Sequence, residues 1–216
     1  MNQSCPLCEG EGAIFYQRKD RRHFQCATCH GIFLDRALRL DQAAEIARYT
    51  QHNNDPHDPR YQAFVAPMTK AITRDFQPQD QGLDFGAGTG SAVSQVLRDR
   101  YFQIEDYDPL FHNKPQLLQY TYNYIACCEV MEHFYNPAKE FALLKKLLRP
   151  SGTLYCMTAM YDESIDFDQW YYKNDPTHVF LFHADTVQWI QRRFHFASVV
   201  IEGRLITFFT RPLLAL

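Results

Sequence analysis

Residues 83–90 read LDFGAGTG, with glycines at 86, 88 and 90 directly after a short apolar run. A turn this bare between a strand and a helix lets the backbone approach a ligand closely and leaves helix N–H groups facing it. Downstream, strand-length apolar runs (YFQIEDYD, YNYIACC, TLYCMTAM) alternate with helix-length segments (SAVSQVLRDR, NPAKEFALLKKLLRPSG, ADTVQWIQRRF). In the middle helix Asn136 reads as the N-cap, Pro137 as the first helical residue and Gly152 as the residue just past the end. The closing stretch FHFASVVIEGRLITFFT reads as a hairpin about Glu202 and Gly203. Such alternation predicts an α/β fold: a doubly wound, mostly parallel sheet closed by an antiparallel C-terminal hairpin.

Four of the seven cysteines lie in the first thirty residues, as CPLC (Cys5, Cys8) and CATC (Cys26, Cys29), with seventeen residues between the pairs. Two residues between thiolates let one tight turn aim both sulfurs at a single ion. A hairpin then returns the second pair to complete a tetrahedron. AIFYQRKDRRHFQ supplies that hairpin, with apolar strands flanking a charged tip. A segment so short cannot fold on apolar burial alone, so the metal supplies its folding free energy. Residues 1–35 are therefore expected to form a small zinc ribbon, separate from the remainder of the chain. His23 and His30 lie close enough to be ligands, but four thiols make them unnecessary. Residues 36–60 carry a helical pattern over RALRLDQAAEIARY and then a linker, TQHNNDPHDPR, broken by two Asp-Pro steps. A helical pattern resumes over 61–75.

The glycine turn admits two ligand classes. A dinucleotide fingerprint needs G-x-G-x-x-G/A and a ribose-binding acid about 20 residues on; Gly86 and Gly88 satisfy its start, but Ser91 fills the third slot. Asp84 would repel a pyrophosphate and welcome a ligand bearing an amino group. With Asp84 in LDFGAGTG, Asp108 in YDP, then YNYIACCEVMEHFYNPAKEFALLKKLLRPSGTLYCMT and DPTHVFLFHADTVQWI, residues 61–210 resemble the class I S-adenosylmethionine-dependent methyltransferases in order and spacing. The resemblance implies a Rossmann-like domain over 61–216. In it Gly86, Ala87, Gly88 and Gly90 pack against the cofactor's methionine and sugar, and Asp84 orients its amino group. Asp108 binds the ribose hydroxyls, and Cys128 and Glu129 line the methyl-donor pocket. One departure stands out. Residues 109–123, PLFHNKPQLLQYTYN, contain no Asp or Glu, which puts the family's adenine-reading carboxylate in doubt and points to a vestigial third strand.

Methyl transfer is an in-line displacement, so alignment of an electron-rich atom with the methyl group is most of the work. EVMEH places Glu129, Glu132 and His133 at i, i+3 and i+4, one face of a helical turn. With His178 of DPTH they form a candidate site for a catalytic divalent metal. The motif resembles metal-assisted O-methyltransferases of catechols in quinone biosynthesis and of the terminal ribose of small RNAs. It equally resembles methyltransferases in which these residues align or line the pocket without metal. A purely structural role is the third reading, and all three stand. The segment from Tyr49 to Phe64 resembles one bacterial subgroup of zinc-ribbon methyltransferases and is expected to cover the cleft as a lid, with Tyr49, His52, Asn53 and Tyr61 as candidate substrate contacts. By pattern alone His52, His57, His112 and His195 show no partner and read as structural or surface residues.

A net charge of −3 gives no global footprint for nucleic acid. Residues 1–40 carry six Lys/Arg against four Asp/Glu, mostly from RKDRRH, so the ribbon tip suits RNA, while the acidic remainder suits a small-molecule or protein acceptor. No run approaches the length of a membrane span, and the first residues lack signal-peptide character, so a cytoplasmic location is expected. The expected activity is methyl transfer from S-adenosylmethionine to an acceptor that the sequence does not identify. The alternatives are a non-catalytic interaction module on a degenerate methyltransferase scaffold and, further off, an NAD-dependent oxidoreductase.

Overall fold

The computed structural model describes residues 2–18, 20–51 and 55–211. The main sheet holds β5 (Gln81–Phe85), β6 (Gln103–Tyr107), β7 (Tyr122–Cys128), β8 (Leu148–Met157), β10 (Ser198–Glu202) and β11 (Leu205–Phe209). Its order is β10-β11-β8-β7-β5-β6. The four strands from β5 to β8 run parallel, and the C-terminal hairpin closes the sheet antiparallel on β8. Side chains alternate between two cores, as the strand period of two requires. Ile125, Cys127, Leu154 and Cys156 meet α4 (Pro137–Leu147) and α5 (Ala184–Arg193) through Phe141, Leu144, Val187 and Ile190. Tyr124, Ala126, Tyr155 and Met157 meet α2 (Pro59–Asp75) and α3 (Ala92–Arg98) through Val65, Met68, Ile72, Val93 and Leu97. Both faces are covered, which is the condition for a parallel sheet.

β6 is an edge of this sheet. Beyond it the chain makes a single 3-10 turn, Pro115–Gln119, before entering β7. The third strand is absent among the described residues, as the short 109–123 segment foreshadowed. At the same end of β7 the expectation for Gly152 fails. Helix α4 stops at Leu147, and Gly152 lies inside β8. A Cβ there would come within 3.0 Å of the Tyr122 and Asn123 carbonyl oxygens, so this glycine serves the close approach of β7 and not a helix end.

The N-terminal segment forms β1 (Gln3–Ser4), β2 (Glu11–Arg18), β3 (Arg21–Cys26) and β4 (Ile32–Leu34), an antiparallel ribbon as its hairpin pattern predicts. It is not set apart from the rest. β4 pairs with β9 (Phe180–Leu181), so the ribbon sheet continues into the second half of the chain. Phe24 and Phe33 are fully buried in the same cluster as Phe141, Phe180 and Phe182. Two phenylalanines are more apolar surface than so small a ribbon can cover alone. The charged tip is also engaged internally: Arg18 pairs with Asp168 at 2.5 Å, Arg21 donates to the Lys173 carbonyl at 2.7 Å, and Arg22 pairs with Asp35 at 3.2 Å. The three arginines thus each have an internal partner, although Arg18 stays largely exposed.

Candidate active site

The glycine turn does what its sequence requires. Gly86 sits at φ +87°, and a Cβ there would meet Val130 Cγ2 at 2.5 Å, so no side chain fits. The Gly88 N–H donates to Asp108 Oδ2 at 3.0 Å, and the Leu110 and Phe111 N–H groups donate to Oδ1 at 2.8 and 3.1 Å. Asp108 thus ties the end of β6 to the turn. A carboxylate has about four acceptor sites, so Oδ2 keeps capacity for one more donor. Gly86, Ala87, Gly88, Asp108, Cys128 and Glu129 all line one cavity of about 1430 Å³. Asp84 and Gly90 do not. Asp84 is turned behind the turn, where it accepts from the Ser91 and Ser94 hydroxyls. Burial, reinforced by Asp106, pushes its pKa up to about 6. Beside Asp108, Pro109, Leu110, Phe111 and Leu118 give the cavity an apolar stretch of wall.

The EVMEH residues are not one helical turn. The Glu129 N–H still bonds to Met157 of β8 at 2.8 Å, and Glu129 then takes φ +53°, so only Met131–His133 form a 3-10 turn. Glu129 swings to Arg204, which pairs with its Oε2 at 2.8 Å, while Oε1 is buried without a hydrogen-bond partner. Glu132 is fully buried and accepts from the Thr158 hydroxyl at 3.1 Å and from the Tyr172 hydroxyl. That phenol also lies 3.2 Å from Glu129 Oε2. The two carboxylates therefore meet at one hydroxyl. Burial raises both, and for Glu129 the neighbouring Glu132 charge adds to it, so each is pushed up to about 7. Such a pair titrates as a unit.

His133 and His178 stack edge to face, centroids 4.9 Å apart. The Nδ1 of His133 donates to the Thr177 carbonyl at 2.9 Å, and that of His178 to the Tyr172 carbonyl at 2.7 Å. Donor atoms of Glu132, His133 and His178 fall within 4.8 Å of one another. Glu129 is not in that group, because Arg204 holds it. Helix α1 (Gln42–Tyr49) closes this side: Glu45, Arg48 and Tyr49 line the cavity, and Arg48 pairs with Asp175 at 2.7 Å. Tyr61 lines it too, whereas His52 and Asn53 lie outside the described residues. His57 and His195 are exposed, and His112 bonds to Asp108 through backbone alone. Sequence reasoning missed Tyr172, Thr158, Arg204 and Glu45. Of these only Arg204 had a signal, its place just after the Glu202-Gly203 turn.

In the ribbon, Cys5 Sγ lies 3.6 Å from Cys29 Sγ, and Cys8 Sγ lies 3.3 Å from Cys26 Sγ, with no disulfide formed. Sulfurs bonded tetrahedrally to one zinc at about 2.3 Å stand about 3.8 Å apart, so the donor set fits. The two cysteine turns match each other. The N–H of Glu9 bonds to the Cys5 carbonyl and that of His30 to Cys26, and both residues take positive φ, +63° and +60°. His30 is exposed, and the ring nitrogens of buried His23 have no partner, so neither replaces a thiol.

A parallel sheet with a glycine cradle at the carboxyl ends of its strands and a carboxylate on the next strand defines a nucleoside-cofactor-binding α/β domain. The family model described as "Methyltransferase domain" matches residues 34–200, and the chain belongs to that family. Among solved structures it is similar to a Burkholderia thailandensis 1,6-didemethyltoxoflavin-N1-methyltransferase with bound 1,6-didemethyltoxoflavin and S-adenosylhomocysteine. The TM-score is 0.54 at 13% identity, covering 91% of this chain and 98% of that one. It is also similar to an O-methyltransferase family protein from the same species, TM-score 0.53 at 14% identity, covering 80% of this chain but only 62% of the other. A third is the putative methyltransferase in complex with the Haloferax volcanii Trm112 methyltransferase activator, TM-score 0.50 at 14% identity, covering 73% and 96%. These likenesses show a methyltransferase fold. No curated protein matches the chain. Among the described residues no helix is long and apolar enough to cross a membrane.

Proposed function

We propose that this methyltransferase uses S-adenosylmethionine to methylate a hydroxyl or amine, with the Glu129–Glu132 pair receiving the acceptor's proton. The observation that carries this reading is the meeting of two buried carboxylates at the Tyr172 hydroxyl on the cavity wall. When bound, S-adenosylmethionine supplies a methyl group on a sulfonium, which leaves without help from an acid. The chain's residues do the rest. Gly86 and Gly88 let the backbone come close, and Asp108 Oδ2 accepts from a ribose hydroxyl. Phe111 and Leu118 cover the base without a carboxylate. Glu129, on the cavity wall, takes the proton as the new bond forms, while Arg204 holds its Oε2 and fixes the group's orientation. A base titrating near 7 is matched to neutral pH. Helix α1 acts as the lid, and the four cysteines hold a structural zinc.

S-Adenosylhomocysteine is expected to bind with a micromolar dissociation constant, roughly −8 kcal/mol, and NAD is not expected to bind. Asp108→Ala should weaken binding at least about tenfold, because it removes the ribose acceptor and three N–H bonds that shape the turn. Calorimetry with both ligands decides, and a preference for NAD overturns the reading.

The clustering of Glu132, His133 and His178 favours a second reading, a catalytic divalent ion held by those three. Both histidines have Nδ1 anchored on a carbonyl, the arrangement that presents Nε2 to a metal. On this reading His133→Ala abolishes metal-dependent activity. On the proton-acceptor reading, chelator-treated enzyme that retains its ribbon zinc keeps its rate.

A further inference from the structure

A second groove, of about 1040 Å³, lies between the first cysteine turn, the 36–39 turn, the start of α4 and the end of α5. Arg36, Arg39, Lys139 and Arg193 line it, and Glu9 is its one carboxylate. Outside the groove, Arg18, Arg48, Arg98 and Arg204 each sit in an ion pair. None of the four groove cations does so among the described residues. Arg39 is the most telling. Its Nη1 donates to the Tyr135 carbonyl at 3.2 Å and its guanidinium lies 5.1 Å from the Tyr135 ring centre, yet Nε and Nη2 are buried without a partner. Burial and the adjacent Arg36 charge both push its pKa down. Buried charges are ordinarily paired. A four-thiolate zinc site would be two charges negative, but with Glu9 counted as well a positive excess remains. The start of α4 opens on the same groove at Asn136 and Ala138, adding the positive end of a helix.

We propose that this groove binds a phosphate ester carried by the methyl acceptor. Several guanidiniums and a helix start converging on one place match a multiply charged oxyanion better than a single carboxylate. Tyr135, Asn136 and Lys139 belong to the walls of both the groove and the catalytic cavity, so one molecule can occupy the two together. The favoured ligand is a small phosphate ester and not RNA. The ribbon tip's arginines are spent on internal partners, and four cations around one groove do not make the extended track that a strand follows.

The inference rests on the methyltransferase reading, and the test separates the two. Inorganic pyrophosphate is titrated by calorimetry into full-length, zinc-loaded protein saturated with S-adenosylhomocysteine, which blocks the cofactor half of the cavity. Binding is expected, with strong salt dependence, and should weaken at least about tenfold in the double variant Arg36→Gln, Arg193→Gln. Both side chains are exposed, so the fold survives, and unchanged S-adenosylhomocysteine affinity verifies that. Absent binding, or equal affinity in the variant, overturns the phosphate site and leaves the methyltransferase reading intact. Failure of S-adenosylhomocysteine to bind the unaltered protein overturns the reading beneath it. A short single-stranded RNA that binds where pyrophosphate does not also overturns the proposal.

Discussion

Glu129→Gln should lower methyl transfer by about 10²–10⁴-fold and leave S-adenosylhomocysteine affinity nearly unchanged. That is the range for losing a positioned proton acceptor, and the split is the mark of a group acting only in the transition state. Formation of S-adenosylhomocysteine from S-adenosylmethionine in the presence of a metabolite extract gives the readout. The unaltered enzyme should gain rate as pH rises through about 7, where the Glu129–Glu132 pair gives up its proton. Stability should move the opposite way. Both folded-state values lie above the ordinary 4.5, so the folded protein binds more protons than the unfolded chain between about 4.5 and 7. The pair is best accommodated below that window, and stability is lost as pH rises through it, by on the order of 3 kcal/mol. Denaturant titrations at pH 5 and pH 8 measure the loss, and the difference from Glu129→Gln isolates it from other groups. A variant with the same slope as the unaltered protein would show that these carboxylates do not share a raised titration.

The parts legible beforehand are those governed by local rules. LDFGAGTG demanded a strand, a bare turn and a helix, and Gly86 at φ +87° against Val130 shows why. Asn136 and Pro137 marked the start of α4 because caps act within one turn. The two CxxC pairs found one another because their turns are self-contained. The rest depended on distant partners. EVMEH has helical spacing, but Glu129 remains bonded to β8 and is drawn to Arg204, 75 residues away. Asp84 looked like a ligand contact because the family motif contains it, yet Ser91 and Ser94 capture its carboxylate from behind. Tyr172 was invisible in an aromatic-rich stretch, since only the folded chain places its hydroxyl between two glutamates. RKDRRH read as a free basic tip because Asp168 and the Lys173 carbonyl, its partners, lie some 150 residues on.

Withdrawing the ribbon metal should disable the acceptor side of the cavity and not merely loosen the first forty residues. One zinc per chain is expected, lost in Cys26→Ser. Structural zinc supplies on the order of 10 kcal/mol to so small a unit, so its removal should unfold β1 to β4. The consequence then travels along hydrogen bonds. The Leu34 N–H donates to the Val179 carbonyl at 3.0 Å, and the Val179 N–H donates to the Glu132 carbonyl at 2.9 Å. Phe33 pairs with Phe180 two residues beyond His178. Without β4, the stretch holding Thr177, His178 and β9 loses its sheet partner, and Glu132 loses the backbone support that sets its carboxylate against Tyr172. The glycine turn and Asp108, just beyond β5 and β6, share none of these bonds. Hydrogen exchange should therefore show protection lost together over residues 1–35 and 177–182, while residues 83–90 stay protected. Methyl transfer should fall by at least about tenfold with S-adenosylhomocysteine binding retained. If residues 177–182 remain protected after the metal is gone, the ribbon is an independent appendage and the coupling is refuted.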